Sequence, residues 1–435
     1  MEGIIMTAQL LLGLSILVGL HELGHLVAAK AFGMRVEKYS IGFPPKIWGK
    51  QFGETEYSIG AIPLGGFVKI TGMIDESLDT KSLSGEPEPY EFRAKPAWQR
   101  LIVMLGGIIV NVITGIFVFI CLAYATGESY LTKSQLNKHG IVAYELGQQL
   151  GLKTGDRIVN VNGQDFERER DLRSLDVLLG TNGYYTIERN GQQVRVDIPN
   201  DFIDKFSDNK TAFFEPRSPF VIREVSKDYP AAEAGLLEGD QFITFNGAPI
   251  TYYDEFQAAM DTLAGKEVKG VVLRDGEKIP LIFKVNAEGK LGFYPKFTLD
   301  YTHQDFTFGE SVVKGSQEAF NIVFGSIRAF GKILSGHASP SKSIAGPIGI
   351  AQIFGGTWDW QNFWKITGFL SLMLAFMNLL PIPALDGGHV MFLSWEIITG
   401  RKPSDKFLEN AQKVGMVLLL GLMSYVIFND VAKLF

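Results

Sequence analysis

The sequence has little cysteine and little histidine. Its 435 residues include a single cysteine, Cys121, which lies within an apolar run. A disulfide framework and a cysteine-based zinc site are both excluded, because each needs more than one thiol. A metal site in this chain must therefore use His, Asp or Glu, and only 6 histidines are present.

Basic residues are also sparse and scattered. Lys and Arg number 41 against 47 Asp and Glu, which gives a formal net charge of -6. No stretch of basic residues resembles a nucleic-acid-binding surface, so we expect no nucleic-acid partner. The mean hydropathy of +0.12 is high for a soluble protein and low for an entirely transmembrane one. The composition therefore predicts a membrane part joined to soluble modules.

Apolar segments suited to crossing a bilayer occur at both ends of the chain. A helical span needs ~20 apolar residues. Four segments are predicted to be spans: 4–32, 98–124, 363–395 and the shorter 414–428. The first has no basic region before it, so we expect it to be a permanent span and not a cleaved signal peptide.

The positions of Lys and Arg predict the orientation of these spans. The segment 30–100 carries about ten basic residues, and Arg401, Lys402 and Lys406 follow the third span. Loops rich in Lys and Arg stay in the cytoplasm. We therefore expect the N-terminus, the long segment between spans two and three, and the C-terminus to be outside.

The first span ends in the motif His21-Glu22-Leu23-Gly24-His25. On a helix, His21 and His25 lie one turn apart on one face, a spacing at which two imidazoles bind one Zn²⁺. The carboxylate of Glu22 can then take a proton from the attacking water. A chance match on a solvated helix is the alternative. It is disfavoured because residues 4–20 carry no charge, and unpaired ionisable groups in a membrane cost several kcal/mol.

A catalytic zinc usually has three protein ligands, so this motif lacks one. His139, His303 and His337 fall in segments that are expected outside the membrane. The sequence NLLPIPALDGGH at 378–389 offers Asp386 and His389 within the third span. Its two prolines should break the helix, which a membrane tolerates where the backbone lines a cavity.

The expected depth of the two motifs is consistent with one shared site. At 1.5 Å per residue, His21 lies ~25 Å from the start of the first span, near its cytoplasmic end. The third span runs in the same direction, and Asp386 falls late in it. Both motifs are therefore expected at one level of the bilayer.

Residues 39–70 have the character of strands and turns. Residues 56–62 read as a strand, and Gly65-Gly66 predicts a turn before a further strand at 67–70. This pattern indicates either a plain cytoplasmic hairpin or a β-element that is buried against the membrane part. The polar stretch 71–96 is expected to be a loop.

The segment between spans two and three contains an internal repeat. Residues 151–163 align without a gap with residues 235–247. Identical positions in the two copies include Gly151, Gly155, Asp156, Asn162 and Gly163 of the first. Each copy reads as a helix closed by Gly, a buried strand and an Asn-Gly turn.

The repeated pattern resembles the PDZ domain, an α+β module that captures extended peptides at a sheet edge. Peptide binding and a purely structural spacer both stay open as its role. After the repeat, residues 308–334 have apolar positions at helical spacing with charged residues between them. They predict an amphipathic helix that lies on the membrane surface or against a PDZ-like domain.

HExxH in the first span, NxxPxPxLDGGH in the third and the PDZ-like repeat between them resemble the site-2 protease family, in its regulator of sigma-E protease branch. Because this family consists of intramembrane metalloproteases, the resemblance implies a Zn²⁺ cofactor and three ligands: His21, His25 and Asp386. The resemblance further implies that Glu22 is the general base and that Asn378 holds the substrate backbone or the developing oxyanion. His389 is not a ligand in this family.

The resemblance also implies how a substrate is bound. A β-element pairs with the unwound substrate, and the matching residues are Tyr57, Ser58, Ile59, Gly60, Gly65 and Gly66, together with Asn378. The substrate would be a single-span membrane protein, of the anti-sigma factor or signal-peptide remnant type, trimmed beforehand by an upstream site-1-type protease. The location implied is the bacterial inner membrane, with the PDZ-like domains outside and the active site toward the cytoplasm.

The expected fold class is an α-helical polytopic membrane protein with about four transmembrane helices, a membrane-associated β-element and two α+β PDZ-like domains. The expected divisions are 1–126 with spans one and two and the β-element, 127–215 and 216–300 as PDZ-like domains, 301–362 as amphipathic helix and linker, and 363–435 with spans three and four.

Two other classes of function stay open. A metal transporter or sensor would also place His and Asp in spans, but it requires neither a Glu beside the first His nor two peptide-binding modules. An inactive PDZ scaffold predicts a broken zinc or base position, whereas His21, Glu22, His25 and Asp386 are all present.

Overall fold

The structure is a computed structural model that describes residues 2–73, 86–208, 212–336, 339–343 and 345–432. His337 and residues 74–85 of the expected loop at 71–96 lie outside the described residues. The chain divides into a first unit, Met1–Gly127 with Asp305–Phe435, and a second unit, Glu128–Gln304. The finer division into five parts stays a prediction.

The helices and strands follow in chain order. The α-helices are α1 (Glu2–Ala31), α2 (Ala97–Thr126), α3 (Lys133–His139), α4 (Glu145–Leu150), α5 (Leu175–Leu178), α6 (Phe202–Asp208), α7 (Pro230–Glu233), α8 (Tyr253–Met260), α9 (Phe308–Leu334), α10 (Pro340–Ser343), α11 (Pro347–Phe354), α12 (Trp360–Leu379), α13 (Asp386–Thr399) and α14 (Asp405–Ala432). The β-strands are β1 (Val36–Phe52), β2 (Thr55–Ile70), β3 (Glu128–Tyr130), β4 (Ile141–Ala143), β5 (Arg157–Val161), β6 (Tyr184–Arg189), β7 (Gln192–Asp197), β8 (Phe214–Pro216), β9 (Phe220–Val225), β10 (Gln241–Phe245), β11 (Ala248–Pro249), β12 (Glu267–Arg274), β13 (Glu277–Lys284), β14 (Phe293–Phe297) and β15 (Thr302–Gln304).

Within the described residues, 3 helices are long and apolar enough to cross a membrane: α1, α2 and the part of α14 from Lys406 to Ala432. The predicted third span is divided, because α12 ends at Leu379 and α13 begins at Asp386. The predicted fourth span begins earlier than expected. The polar start of α14 is helical, and Glu409 and Lys413 pair across one of its turns at 2.6 Å.

The first unit is built on close contact between α1 and α2. A Cβ atom at Gly24 would lie 2.3 Å from the carbonyl oxygen of Gly106, so neither helix could approach the other if larger residues stood here. Leu26, Val103 and Met104 are buried beside this contact. The contact brings the end of α1, which carries the HExxH motif, against the first half of α2.

Three further helices pack around α2. Phe119 of α2, Ala319 of α9 and Leu372 of α12 form one buried cluster. The predicted helix at 308–334 therefore lies against α2 and α12, and Thr307 caps its first turn together with Glu310. On the other side, Arg100 of α2 donates to the Glu396 carboxylate of α13 at 2.5 Å, which ties α13 to the same helix.

β1 and β2 form a sheet of four rows because both strands fold back on themselves. Row 36–41 pairs with row 66–70 on one side and with row 56–59 on the other, and residues 43–52 pair with 55–62. Rows 66–70 and 43–52 are therefore its edges. The chain reverses direction between rows 56–59 and 66–70, close to the expected turn at Gly65-Gly66, although β2 is continuous through both residues. A Cβ at Gly66 would lie 2.7 Å from the Ser40 carbonyl oxygen, so a glycine is needed here for row 66–70 to lie this close to row 36–41.

The second unit contains two similar halves. The first holds the antiparallel sheet β5-β6-β7, and the second holds β11-β10-β12-β13. Asn162 and Asn246 both adopt positive φ, at 52° and 51°, in the Asn-Gly turn that follows β5 and β10. The helix, strand and turn expected in each copy of the repeat are therefore present.

The repeated Asp has the same structural role in both halves. Asp156 is buried and accepts hydrogen bonds from Arg189, which also donates to the carbonyl oxygen of Gly151 at 2.7 Å. Asp240 and Arg274 make the equivalent pair at 2.6 Å. This buried pair fastens the turn before β5 and the turn before β10, which explains why Gly-Asp recurs at a fixed offset.

Candidate metal centre

Residues from the first and third predicted spans meet at one point in the first unit. The Nε2 atoms of His21 and His25 lie 3.1 and 3.4 Å from Oδ2 of Asp386. The two Nε2 atoms are 3.2 Å apart. One possible ligand atom from each of the three residues lies within 4.8 Å of the other two. The structure thus brings together the motifs that the sequence predicts at a common depth.

The break between α12 and α13 places Asp386 at this point. Asp386 is the first residue of α13, directly after the irregular residues 380–385. A Cβ at Gly387 would lie 2.2 Å from the Leu380 carbonyl oxygen, so the loop can fold back on the first turn of α13 only over a glycine. Ala384 has φ of 80°, a strained value for a residue with a side chain. The two prolines and the Gly-Gly pair therefore aim one carboxylate at the paired histidines.

Both histidines are oriented by contacts with α2. The Nδ1 atom of His25 lies 2.8 Å from the carbonyl oxygen of Val103. A carbonyl only accepts, so Nδ1 carries the proton and donates it, which leaves the Nε2 lone pair free. Nδ1 of His21 lies 3.1 Å from the fully buried side-chain amide of Asn111.

Asn111 can orient His21 in the same way. Its Oδ1 atom has no hydrogen-bond partner among the described residues. Turning the amide so that Oδ1 faces the ring gives this oxygen a partner, the Nδ1 proton, and frees Nε2 of His21. Neither contact with α2 was predicted. For Asn111, the sequence offers one signal, a side-chain amide in an apolar span. For the Val103 carbonyl it offers no signal, because every residue has a backbone carbonyl.

A cavity of about 540 Å³ opens beside the three residues. Its remaining lining comes from three parts of the first unit. The helix α1 contributes Glu22, and the sheet with the residues that follow it contributes Phe43, Pro44, Gly66, Phe67, Val68, Lys69, Ile70 and Met73. The other helices and the 380–385 loop contribute Met104, Asn378, Ala384, Leu385, His389 and Gln412. The Asn378 side-chain nitrogen lies 3.3 Å from Nε2 of His21.

The edge row of the sheet runs beside Glu22. A Cβ at Gly66 would lie 3.3 Å from Cγ of Glu22 and 2.8 Å from Val18. The backbone of Val68 contacts the Glu22 carboxylate. The Tyr39 hydroxyl donates to the carbonyl oxygen of Gly19 at 2.8 Å, which fastens the sheet to α1. The carboxylate next to the first histidine therefore faces both the cavity and a strand edge.

The family described as "Peptidase family M50" matches residues 9–422 of this chain. The chain belongs to peptidase family M50. It is similar to "Regulator of sigma E protease" of Haemophilus influenzae, with 28% identity over 454 residues and 98% of each chain covered. "Regulator of sigma-E protease RseP" of Escherichia coli is 27% identical over 455 residues, again with 98% of each covered. A Vibrio cholerae relative named for zinc metalloprotease activity is 28% identical over 456 residues. The chain is accordingly a metalloprotease.

The donor set of this M50 peptidase fits a cation such as zinc. Two imidazole nitrogens and one carboxylate oxygen form a set that catalytic zinc uses, with a further position left for water. Oδ2 of Asp386 is buried and has no hydrogen-bond partner in the part of the chain that the structure describes. With both Nδ1 atoms protonated, three lone pairs face one another here, an arrangement that is unfavourable unless a cation lies between them.

The predicted substrate-binding residues divide into two groups. Asn378 and Gly66 line the cavity together with Glu22 and the three potential ligands. Tyr57, Ser58, Ile59, Gly60 and Gly65 are not among the lining residues. Residues 57–59 lie in a row that is paired on both sides, and a Cβ at Gly65 would meet the Phe43 ring at 2.3 Å. The open strand edge at the cavity is row 66–70 instead.

Gly107 of α2 gives a direct test of the cluster. A Cβ there would lie 2.5 Å from both Cε1 of His21 and Nε2 of His25. We expect Gly107→Ala to displace the imidazoles and to lower metal affinity by about 10- to 100-fold, as measured by metal analysis of the purified protein. Gly421→Ala on α14, where a Cβ meets nothing within 4 Å, is the matched control. Unchanged metal content in Gly107→Ala would contradict this geometry.

Proposed function

We propose that this chain is an intramembrane zinc metalloprotease that hydrolyses a peptide bond within the transmembrane segment of a membrane-anchored protein. One observation carries the proposal: His21, His25 and Asp386 converge beside the Glu22 carboxylate. These groups lie on α1, which is apolar enough to cross a membrane, and at the start of α13, which packs against α2. Such a site suits a substrate that reaches it through the bilayer.

The proposed ligands of Zn²⁺ are His21, His25 and Asp386. When bound, zinc supplies a Lewis acid that polarises the scissile carbonyl and makes a water more acidic. Val103 and Asn111 keep the two imidazoles facing the ligand position through Nε2.

Glu22 and Asn378 act on the reacting atoms. Glu22 takes the proton of the attacking water and later delivers it to the leaving amine. The Asn378 side-chain nitrogen, 3.3 Å from Nε2 of His21, is placed to donate to the carbonyl oxygen as negative charge develops on it. His389 borders the cavity but is not part of the proposed ligand set.

The substrate is bound as an extended strand along row 66–70. A transmembrane helix hides its carbonyls in internal hydrogen bonds, so it must unwind before hydrolysis, and its freed groups need new partners in the membrane. An open strand edge supplies them. Row 66–70 is open on the cavity side, whereas residues 57–60 lie among paired rows, so we transfer the proposed binding role to row 66–70.

The wider setting follows from the basic loops and the relatives' names. The proposed location is the bacterial inner membrane, with the active site toward the cytoplasm and two PDZ-like domains outside. The proposed substrate is a single-span protein of the anti-sigma factor or signal-peptide remnant type. An upstream site-1-type protease trims it first, and the PDZ-like pair admits only trimmed substrates. No contact in the described residues favours transport or scaffolding over this function.

Glu22→Gln tests the chemistry. Loss of the base should lower the cleavage rate by about 10²- to 10⁴-fold while metal content stays unchanged, because Glu22 is not a ligand. Cleavage of a single-span substrate and metal content should be measured on the same preparations. The matched control is Glu409→Gln on α14, because Glu409 pairs with Lys413 and is not among the residues that line the cavity. Normal cleavage by Glu22→Gln would refute the proposed function.

Photo-crosslinking tests which row binds substrate. A crosslinking amino acid at Phe67 of the edge row should capture the substrate in the Glu22→Gln protein, in which the substrate stays intact. The same amino acid at Tyr57, which is half-buried like Phe67 but lies between paired rows, should not. Equal capture at Tyr57 would show that the substrate lies elsewhere.

Deletion of residues 127–300 tests the role of the PDZ-like pair. The shortened protein should cleave a substrate with an intact external domain, whereas the full chain should cleave it only after trimming. The deletion combined with Glu22→Gln controls for other proteases. If the untrimmed substrate stays intact in the deletion strain, the gating role fails.

A further inference from the structure

We propose that the side-chain amide of Gln412 binds the main chain of the unwound substrate on the side that faces away from row 66–70. The inference rests on the proposed function and adds to it a substrate-binding residue from α14. It names a peptide group as the ligand, independent of the substrate's side chains.

Gln412 is a largely buried residue of α14. It lines the same cavity as His21, Glu22 and Asp386. Only 5% of its surface is exposed, and no hydrogen bond of its side chain is found within the described residues. The two charged residues beside it in the helix, Glu409 and Lys413, pair with each other. The side-chain amide of Gln412 is therefore available to hydrogen-bond to a molecule that enters the cavity.

The position of Gln412 is fixed by the packing of α14. Gly415 lies one turn further along, and a Cβ there would be 1.7 Å from the carbonyl oxygen of Pro383. Backbone thus packs on backbone between α14 and the loop that leads to Asp386. At the far end of the helix, the buried Asp430 accepts hydrogen bonds from the backbone N–H groups of Gly346 and Ile348 at 2.9 Å. Because α14 is held at both places, Gln412 keeps its distance from the catalytic groups.

The stereochemistry of a strand explains why a second partner is needed. Successive N–H and C=O pairs of an extended chain point to opposite sides. A substrate that pairs with row 66–70 therefore satisfies only half of its backbone groups. The others face away from the sheet, and inside a membrane protein each unsatisfied group costs several kcal/mol. The side of the cavity away from the edge row must offer hydrogen bonds as well.

Two amide side chains line the cavity, Asn378 and Gln412. Asn378 lies 3.3 Å from His21 and is assigned to the scissile carbonyl. Gln412 is left for a neighbouring peptide group. A glutamine amide offers one acceptor oxygen and an NH₂ donor, so it can pair with the C=O and the N–H of a peptide. The amide carries no charge and pairs with the main chain of the substrate, not with its side chains. It should therefore contribute to the binding of every substrate equally.

The test combines Gln412→Leu with backbone substitution in the substrate. The full chain is assayed on synthetic transmembrane peptides in which single amides near the cleaved bond are replaced by esters, which removes one N–H at a time. For the unaltered protein, an ester at the position paired with Gln412 should lower kcat/KM by about 3- to 10-fold. For Gln412→Leu, the amide substrate should lose the same factor, and the ester should cause no further loss. Metal content should not change.

Controls separate this inference from the proposed function. Asn410→Leu removes an exposed amide from the same helix and should retain the unaltered pattern of ester effects. Gln412→Met replaces Leu if that variant fails to fold. The inference is overturned if every ester slows both proteins by the same factor, or if Gln412→Leu cleaves the amide substrate at the normal rate. If the unaltered protein itself shows no metal-dependent cleavage, the proposed function fails and this inference fails with it.

Discussion

The arrangement of this protein depends on three electron-pair donors that face one another at the contact of α1, α2 and α13. His25 donates its Nδ1 proton to the Val103 carbonyl, so its Nε2 lone pair must face His21 and Asp386. A buried arrangement of this kind repels itself without a cation, and the surrounding packing must hold it. That packing is the glycine contact between Gly24 and Gly106, which brings α2 close enough to orient both imidazoles. The metal centre and the helix contact are therefore one structural feature.

The third donor can arrive only through a broken helix. If residues 363–395 formed one continuous helix, Asp386 would lie on the surface of that helix, and no loop could fold toward α1. Ending α12 at Leu379 and starting α13 at Asp386 puts the carboxylate at a helix start, and the Arg100–Glu396 pair holds α13 against α2. The strained φ of Ala384 persists because Gly387, Gly415 and the surrounding backbone leave the loop little alternative. Strain in this loop is thus part of how the carboxylate is aimed.

Much of this could be predicted from sequence because the signals are local or repeat at a fixed offset. Two histidines at helical spacing, an apolar background and the paired prolines indicate the site, and the recurrence of Gly-Asp indicates two modules. The four rows of the sheet were not predictable, because the pairing of each row depends on long-range partners, such as Ser40 beside Gly66, that the local sequence does not specify. The surroundings of Asn111 and Gln412 were not predictable for a similar reason. Their importance lies in what they face, which hydropathy does not encode.

Hydrolysis inside a membrane sets a requirement that a zinc site alone does not meet. A helix that unwinds exposes backbone groups in both directions, and a single strand edge can receive only those on one side. The cavity of this protein has row 66–70 on one side, and it also has the two neutral amides of Asn378 and Gln412 in its lining. Neutral amides suit this position better than charged groups, because they pair with peptide groups without the cost of burying a charge. Under the proposed function, the cavity binds an extended main chain, and the candidate metal centre acts on one bond of whatever chain the cavity holds.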